Sequence, residues 1–271
     1  DNRLKIISTF NYSSQSNNLI ATDYTKQALR LAPNAPALYN EDGKLNWQNG
    51  TWTNPLAALE ARYKNTTTSL VISTNIEYEI LKNIQVRLNT GLTDTRFEET
   101  LIRPSTMNNP NTASANPASS YSAKNNGDRI SYIVEPQMAW HKKYLQHKLD
   151  FLIGGTFQHD KNTTLGISGT GFTTNALIYN ISTASNKQIN QNSDLEYKYA
   201  AVFGRFNYQL NDRYIINLTG RRDGSSRFGP NNRFANFGAI GAAWIFSKEH
   251  FLSDQSWLSF GKLRGSYGIT G

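Results

Sequence analysis

Cysteine is absent from the 271 residues, and long hydrophobic runs are absent as well. Without cysteine the chain has no disulfide bonds, no thiolate metal ligands and no cysteine nucleophile. No run of about 18 apolar residues occurs, so the sequence predicts no transmembrane helix. Apolar residues make up only 38% of the chain. This composition is typical of a soluble protein and equally of a transmembrane β-barrel, because only alternate residues of a barrel strand face lipid.

Residue patterns that indicate catalysis or metal binding are also missing. The four histidines show no HExxH or other metal-ligand spacing, although His141 and His147 flank one predicted turn. Gly169-Thr170-Gly171 lacks the rest of a dinucleotide-binding fingerprint, and no Gly-x-Ser-x-Gly motif occurs. We therefore predict no catalytic residue, no metal site and no cofactor, and a protein that is not an enzyme.

Positive charge is in modest excess, with a formal net charge of +8. Basic and aromatic residues interleave between 221 and 234, as they do in some nucleic-acid-binding proteins. The other lysines and arginines are spread along the chain instead of clustering. The sequence therefore predicts no nucleic-acid partner.

Alternation of apolar and polar residues is the strongest structural signal. Even positions from 70 to 80 are mostly apolar and odd positions mostly polar, and the pattern resumes from 84 to 89. A turn at 81–83 would place Ile80 opposite Ile84, with the apolar pairs Tyr78–Val86 and Ile76–Leu88 beyond it. On the other face, Glu77 would meet Arg87, and we predict this pair to line the interior of a barrel.

The same pattern predicts further hairpins that turn at Leu145–Gln146 and at 211–213, and about nine antiparallel strands in all. Pro136 removes a backbone donor within one strand, so we expect a β-bulge there. The face that residues 234–247 turn inward is ambiguous. A helical turn is expected at 248–254.

Connections between the predicted strands alternate between short turns and long loops. The long loops are predicted at about 13–62, 99–127 and 161–195, and their tips are expected to be flexible. Aromatic residues gather near the short turns: Tyr78, Trp140, Tyr144, Tyr208, Tyr214, Trp244, Phe246, Trp257 and Phe260. Both features are typical of a bacterial outer-membrane barrel, with its short periplasmic turns and its interfacial girdle of aromatics.

Three stretches of the chain carry a family resemblance. They are Gly-Arg-Arg-Asp-Gly-Ser-Ser-Arg-Phe-Gly-Pro-Asn-Asn-Arg-Phe (220–234), Leu-Ser-Phe-Gly-Lys-Leu-Arg-Gly-Ser-Tyr-Gly-Ile-Thr-Gly (258–271) and Ala-Leu-Arg-Leu-Ala-Pro-Asn-Ala-Pro-Ala-Leu-Tyr (28–39) continued by Gly-Lys-Leu-Asn-Trp (43–47). Together they closely resemble the SusC/RagA family of TonB-dependent outer-membrane transporters.

The resemblance implies a plugged barrel of 22 strands that imports oligosaccharides or peptides across a bacterial outer membrane of the Bacteroidota type. It implies a SusD-like surface lipoprotein, the TonB complex and outer-membrane lipid as partners. Residues 1–271 resemble only part of the barrel, and the plug, the TonB segment and the barrel end are expected to lie outside them. Two alternatives stay open: a passive porin or structural barrel, and a soluble carbohydrate-binding β-sandwich.

The resemblance also nominates site residues. In the first long loop, Tyr39, Trp47 and Trp52 are candidates for contacting the ligand or the lipoprotein lid. The arginine-rich stretch could bind a ligand, but we favour a salt-bridged structural motif at the outer rim, with Arg221 facing the lumen. The residues of this motif are Arg221, Arg222, Asp223 and Arg227.

Overall fold

A computed structural model, which describes residues 3–252 and 257–269, shows one nine-stranded antiparallel sheet whose strands follow sequence order. The strands are β1 (Leu4–Ile20), β2 (Arg62–Leu81), β3 (Ile84–Arg103), β4 (Tyr121–Tyr144), β5 (His147–Thr170), β6 (Asn186–Leu210), β7 (Tyr214–Ser225), β8 (Phe234–Trp244) and β9 (Leu263–Ile269). The helix α1 spans Thr25–Arg30, and 3₁₀ turns span Gln48–Gly50, Pro55–Glu60, Ser105–Met107, Ala113–Ala115, Pro117–Ser119, Asn175–Leu177, Ile181–Thr183 and Phe246–Lys248. In the described part of the chain, no helix is both long and apolar enough to cross a membrane.

The sheet has one apolar and one polar face at its short-turn end. Phe10 pairs with Ile72, Ile72 with Leu92 and Leu92 with Tyr132, so the register aligns apolar residues in a row across four strands. Many of these side chains are exposed, and Phe10 exposes 67% of its surface. We call this side the apolar face and the opposite side the polar face. A continuous apolar face that none of the described residues covers is what a lipid-facing barrel wall presents.

The register of the first hairpin confirms the predicted pairing except beside the turn. Tyr78 lies opposite Val86 and Glu77 opposite Arg87, as predicted. Ile80 does not face Ile84, because the turn contains only residues 82 and 83 and Leu81 takes the place opposite Ile84. A β-bulge between Glu79 and Leu81 absorbs the extra residue, so the alternation continues unchanged beyond it.

The other short turns lie where the sequence predicts them. β4 and β5 are joined by Leu145 and Gln146, and β6 and β7 by residues 211–213. Leu145 has a φ of 52°, a left-handed conformation that the tight reversal requires. The predicted bulge at Pro136 is wrong. Val134 faces Phe157 and Gln137 faces Gly154 in the same register, so pairing with β5 lapses at Pro136 without an inserted residue.

The strands run much farther into the predicted long loops than the sequence suggests. β1 continues to Ile20, and the three long connections shrink to 21–61, 104–120 and 171–185. The outer halves of these strands are rich in Ser, Thr, Asn and Gln on both faces, so they lack the apolar alternation that marks a strand. Strands of 20 to 25 residues exceed the roughly 10 that cross a membrane, so β2 to β6 extend beyond it.

The connection between β5 and β6 packs against β3 in a small core at the long-loop end. Ile102, Phe172, Ile178 and Ala184 form one buried apolar cluster, each with at most 2% of its surface exposed. Phe172 and Ile178 belong to the connection between β5 and β6, which was expected to have a flexible tip. Burial of these side chains stabilises a folded loop instead.

The long connection at the short-turn side begins with a 3₁₀ turn at Phe246–Lys248. This helical turn starts two residues earlier than the predicted 248–254. Residues 253 and 254 of the predicted turn lie outside the described residues.

Candidate functional site

The candidate ligand-facing residues lie in the connection between β1 and β2, which folds into a compact loop. Tyr39 bridges to Leu45 across a turn in which Gly43 has a φ of 77°. The Gly43 backbone N–H donates to the carbonyl of Asn40 at 3.0 Å, and the Asn40 backbone N–H donates to the carbonyl of Lys44 at 2.8 Å. The dipeptide Asp42-Gly43 favours this reversal, because glycine reaches positive φ without steric cost.

Asn54 holds this loop together and was missed by the sequence reasoning. Its Nδ2 donates to the carbonyls of Leu38 at 2.6 Å and Asn46 at 3.0 Å, and its Oδ1 accepts from Leu56 N–H at 2.9 Å. The residue is only 1% exposed. The dipeptide Asn54-Pro55, a cap followed by proline at the first helical position, is the local signal that could have revealed it.

Tyr39 and Trp47 line one cleft of about 710 Å³. The cleft is shared with the connection between β3 and β4, which contributes residues that include Thr106 and Asn108. Aromatic rings, side-chain amides, Lys44 and Glu60 together suit a ligand with both flat apolar surfaces and hydroxyl or amide groups. Trp52 does not join them, because it lines a separate pocket of about 470 Å³ beside α1.

Buried hydrogen bonds tie the other two long connections to each other. Ser120 Oγ donates to Asn175 Oδ1 at 2.5 Å, and Asn175 Nδ2 donates to Ser105 Oγ at 3.0 Å. Ser105 N–H donates to Ser120 Oγ at 2.8 Å. The wall of the Tyr39–Trp47 cleft at Ser105 is therefore braced by a strand connection that is distant in sequence.

The arginine-rich stretch contains one ion pair and several ring contacts. Arg221 Nε lies 2.6 Å from Asp223 Oδ1, and the Arg221 guanidinium also donates to the Tyr199 hydroxyl. Arg222 lies 5.0 Å from the centre of the Phe234 ring, and Arg227 4.6 Å from that of Tyr197.

These contacts modify the predicted salt-bridged motif. Within the described residues, the ion pair joins only Arg221 and Asp223, while Arg222 and Arg227 stack on aromatic rings by cation–π contacts. Arg221 and Asp223 share the polar face with Asn217, whereas Arg222 lies on the apolar face opposite Val202.

The predicted pair Glu77 and Arg87 forms on the polar face. Arg87 Nε donates to Glu77 Oε1 at 2.9 Å, and the side chains are 42% and 24% exposed, respectively. Asn75 Nδ2 donates to Asn89 Oδ1 at 2.5 Å in the next polar pair along the strands. Polar partners thus fill this face of the hairpin, while Ile76 and Leu88 occupy the apolar face.

Glu249 organises the long connection between β8 and β9. Its carboxylate accepts hydrogen bonds from the Tyr214 hydroxyl at 2.7 Å, Trp244 Nε1 at 2.9 Å and Arg213 Nη1 at 3.0 Å. The Glu249 side chain is 12% exposed. The hydrogen bond from Tyr214, followed by that from Trp244 and the charge of Arg213, lowers the pKa of Glu249 below its ordinary value.

The histidines beside the short turn engage different partners. His141 Nδ1 lies 2.6 Å from Asp150 Oδ1, and His147 Nδ1 lies 2.7 Å from the Tyr208 hydroxyl. The two histidines therefore do not form a joint site. Among the residues that the structure describes, no cluster of three or more potential ligands could hold a metal ion.

Comparison with known proteins links the chain to TonB-dependent receptors. It is 28% identical over 253 residues to TonB-dependent receptor P3 of Formosa agariphila, covering 92% of this chain and 25% of the relative. It is 46% identical over 71 residues to TonB-dependent receptor SusC of Bacteroides thetaiotaomicron, covering 26% of this chain and 7% of that receptor. The chain thus spans about a quarter of the length of the first of these relatives. No protein-family model matches it.

Solved structures give the same fold. The RagAB peptide transporter superimposes with a TM-score of 0.72 at 21% identity, over 99% of this chain and 31% of that one. The closed-closed state of the RagAB peptide importer gives a TM-score of 0.73 at 22% identity, over 99% of this chain and 31% of the importer chain. The relatives are receptors and transporters, which fits the prediction of a protein that is not an enzyme. By sequence the chain is similar to TonB-dependent receptors that include SusC, and by fold it matches part of RagAB, in keeping with the resemblance to the SusC/RagA family.

Proposed function

We propose that the chain forms part of the barrel wall of an outer-membrane active transporter, which imports oligosaccharides or peptides with energy supplied through TonB. The observation that carries this proposal is the two-faced sheet. Its apolar face stays exposed across the strands and suits lipid, while its polar face pairs Glu77 with Arg87 and suits a hydrated or plugged lumen. The similarity to SusC and to TonB-dependent receptor P3 supports transport energised through TonB.

Ligand capture would take place at the long-loop end. Tyr39 and Trp47 line the 710 Å³ cleft, which is large enough for a few sugar or amino-acid residues. Their rings could stack on a sugar or on a peptide side chain, or pack against a lid. The separate position of Trp52 favours local packing beside α1 for that residue.

The proposed partners follow from the two ends of the barrel. A SusD-like surface lipoprotein would cover the folded long connections, and the TonB complex would act through a plug region outside this chain. The arginine-rich stretch at 220–234 would serve as a structural element of the outer rim. In this arrangement the protein lies in the outer membrane of a bacterium of the Bacteroidota type.

Uptake measurements test the proposal. Cells that express the full-length receptor would be supplied with fluorescent oligosaccharide or peptide mixtures, with and without a functional TonB. Uptake that requires TonB and the proton-motive force supports active transport. Uptake that is equal in both strains would identify a passive porin and overturn the proposal.

Variants of the loop aromatics refine the same assay. We expect Trp47→Ala and Tyr39→Ala to lower uptake by about tenfold or more, since aromatic anchors carry much of the energy of a binding surface. Trp52→Ala is the matched control, because it removes the same type of side chain from a different pocket. Equal effects of all three substitutions would argue against a ligand site in the Tyr39–Trp47 cleft.

A further inference from the structure

A second pocket lies on the polar face near the long-loop end, away from the Tyr39–Trp47 cleft. It has a volume of about 320 Å³ and is lined by residues of β2, β3, β4 and β6 that include Tyr63, Glu99, Tyr121, Asn125, Asn190 and Gln191. Its size suits one amino-acid side chain or one sugar ring. We propose that this pocket binds a cationic nitrogen group, an ammonium or guanidinium, carried by the transported ligand. The proposal rests on the proposed transport function and names a chemical class for its ligand.

Glu99 is the charged centre of the pocket. Its Oε1 accepts a hydrogen bond from the Tyr63 hydroxyl at 2.7 Å and a longer one from Asn65 at 3.4 Å, and its Oε2 accepts from Asn125 Nδ2 at 3.2 Å. An ionised carboxylate offers about four acceptor positions. These donors therefore fix the orientation of the group and leave acceptor capacity for a ligand.

Among the described residues that line the pocket, none carries a positive charge that would neutralise Glu99. The nearest basic residues on the same face of β3 and β4 are Arg103 and Arg129, each four positions along its strand from Glu99 or Asn125. At about 3.3 Å per residue, that spacing places them some 13 Å away along the strand. A carboxylate without a cationic partner attracts a cation, and the attraction is stronger where the wall is apolar. Leu101 and the buried Ala123 supply such a wall.

The two tyrosines add to the preference for a cation. Tyr63 and Tyr121 line the pocket together with Glu99, and the face of a tyrosine ring attracts ammonium and guanidinium groups. A neutral sugar would use the same rings and amides but would leave the charge of Glu99 without a partner. The lining chemistry thus favours a charged amine over a neutral hydroxyl group.

Two backbone features shape the pocket. The register between β5 and β6 shifts at Gly166, which leaves Asn190 as an extra residue beside Gln191, and Asn190 accepts a hydrogen bond from Ser168 at 3.1 Å. β-Bulges re-aim side chains in this way. A Cβ atom on Gly166 would lie 2.7 Å from Asn125 Oδ1, so glycine at this position permits Asn125 to take its place beside Glu99.

Calorimetric titration of the purified full-length receptor in detergent tests the proposal. The probes are two matched pairs: Gly-Lys-Gly-Gly with an acetylated N-terminus and the same peptide acetylated also at Nε, and a glucosamine disaccharide with its N-acetylated form. We expect the receptor to bind the amine member of at least one pair about tenfold more tightly than the neutral member. The pair that shows the difference identifies a peptide or an amino sugar as the source of the cation.

The variant Glu99→Gln should bring the amine and neutral members of that pair to equal affinity and leave binding of the neutral member unchanged. Glu98→Gln is the matched control, because it removes the same charge from the adjacent position on the opposite face of β3. A receptor without any amine preference, or an amine preference that survives in Glu99→Gln, overturns the proposal.

The outcome is independent of the transport assay, since binding is measured without TonB. Energised uptake without a Glu99-dependent preference would leave the proposed function intact and refute this pocket. A Glu99-dependent preference without energised uptake would support the amine site in this pocket and refute active transport.

Discussion

Asn54 shows how one buried side chain can set the shape of a surface loop. Its amide makes three hydrogen bonds to the backbone at residues 38, 46 and 56, which brings both ends of the Tyr39–Trp47 segment to one point. Replacement by a smaller apolar residue would remove all three bonds, and only the Leu38 carbonyl would keep a donor, the Asn46 N–H at 3.1 Å. Each unsatisfied buried group costs about 1–3 kcal/mol.

We expect Asn54→Ala to destabilise the 21–61 connection by about 2–4 kcal/mol while the strands stay folded. Limited proteolysis of the receptor on intact cells should then cut this connection about 30-fold faster or more, because cleavage follows the population of the open form. Asn40→Ala is the control, since Asn40 is exposed and belongs to the same cleft. Equal cleavage rates in the two variants would contradict the role of Asn54.

Glu77 and Arg87 test the energetic value of a predicted cross-strand pair. The two side chains meet through one 2.9 Å contact and are partly exposed, so solvent screens their attraction. We expect a coupling free energy of about 0.5 kcal/mol between Glu77→Gln and Arg87→Gln in a double-mutant cycle. Urea unfolding of the full-length receptor in detergent micelles would measure it. A coupling above about 2 kcal/mol would mean that the pair is far more desolvated than its exposure indicates.

At the scale of elements, the Glu249 carboxylate anchors the described start of the connection between β8 and β9. Glu249 accepts hydrogen bonds from β7 through Tyr214 and from β8 through Trp244. Its pKa is lowered in the folded protein, so the ionised form is the one that the fold stabilises. This contribution to stability is fully present above the ordinary pKa of 4.5 and is lost as pH falls through the lowered folded value.

We therefore expect acid to loosen residues 245–252 in the native receptor below about pH 4.5. Hydrogen exchange of this segment, measured as a function of pH, would detect the change. In Glu249→Gln the segment should exchange faster at neutral pH, and the acid-induced step should disappear. Glu79→Gln, which removes a carboxylate at another short turn, should keep the step, and an unchanged step in Glu249→Gln would contradict the assignment.

The strands themselves illustrate what periodicity can reveal at this scale. Apolar alternation in β2 and β3 predicted their pairing down to Glu77 opposite Arg87, and only the residues next to the turn deviated. The outer halves of β1 and β4 to β6 were predicted as loops because they are polar on both faces. Their strand structure is maintained by pairing with neighbouring strands, which a local pattern does not encode.

At the scale of the whole molecule, the two faces of the sheet should meet different solvents. Single cysteines placed at Ile76 and Leu88 lie on the apolar face, and those at Glu77 and Asn89 lie on the polar face. The chain itself has no cysteine that would interfere. In the full-length receptor in its own outer membrane, we expect the first two to resist hydrophilic maleimides and to react with lipid-soluble reagents.

The cysteines at 77 and 89 should show the opposite behaviour or be shielded by a plug. Release of the receptor into denaturant supplies the control, because all four positions should then react equally. Free labelling of all four cysteines by the hydrophilic reagent in the membrane would indicate a soluble β-sandwich and contradict the barrel.

The sequence by itself determined the class of the fold, the position of the short turns, the first hairpin's register and the family resemblance carried by residues 220–234. These features depend on neighbours in the chain, since side-chain period and turn residues act over a few positions. The tertiary structure decided the rest. Apart from Asn236, residues 234–244 are small or apolar on both sides, and only pairing with β7 places Ile240 on the apolar face opposite Leu218.

The sequence likewise predicted some features of the candidate sites, and the tertiary structure decided the others. Tyr39 and Trp47 were nominated from sequence, and the structure brings them together while it separates Trp52. The pocket around Glu99 combines residues of four strands, and the core of Phe172 and Ile178 joins their loop to Ile102 of β3, far away in the chain. Such sites arise from contacts between distant segments, because burial and hydrogen bonding there depend on which strands and loops the register places side by side.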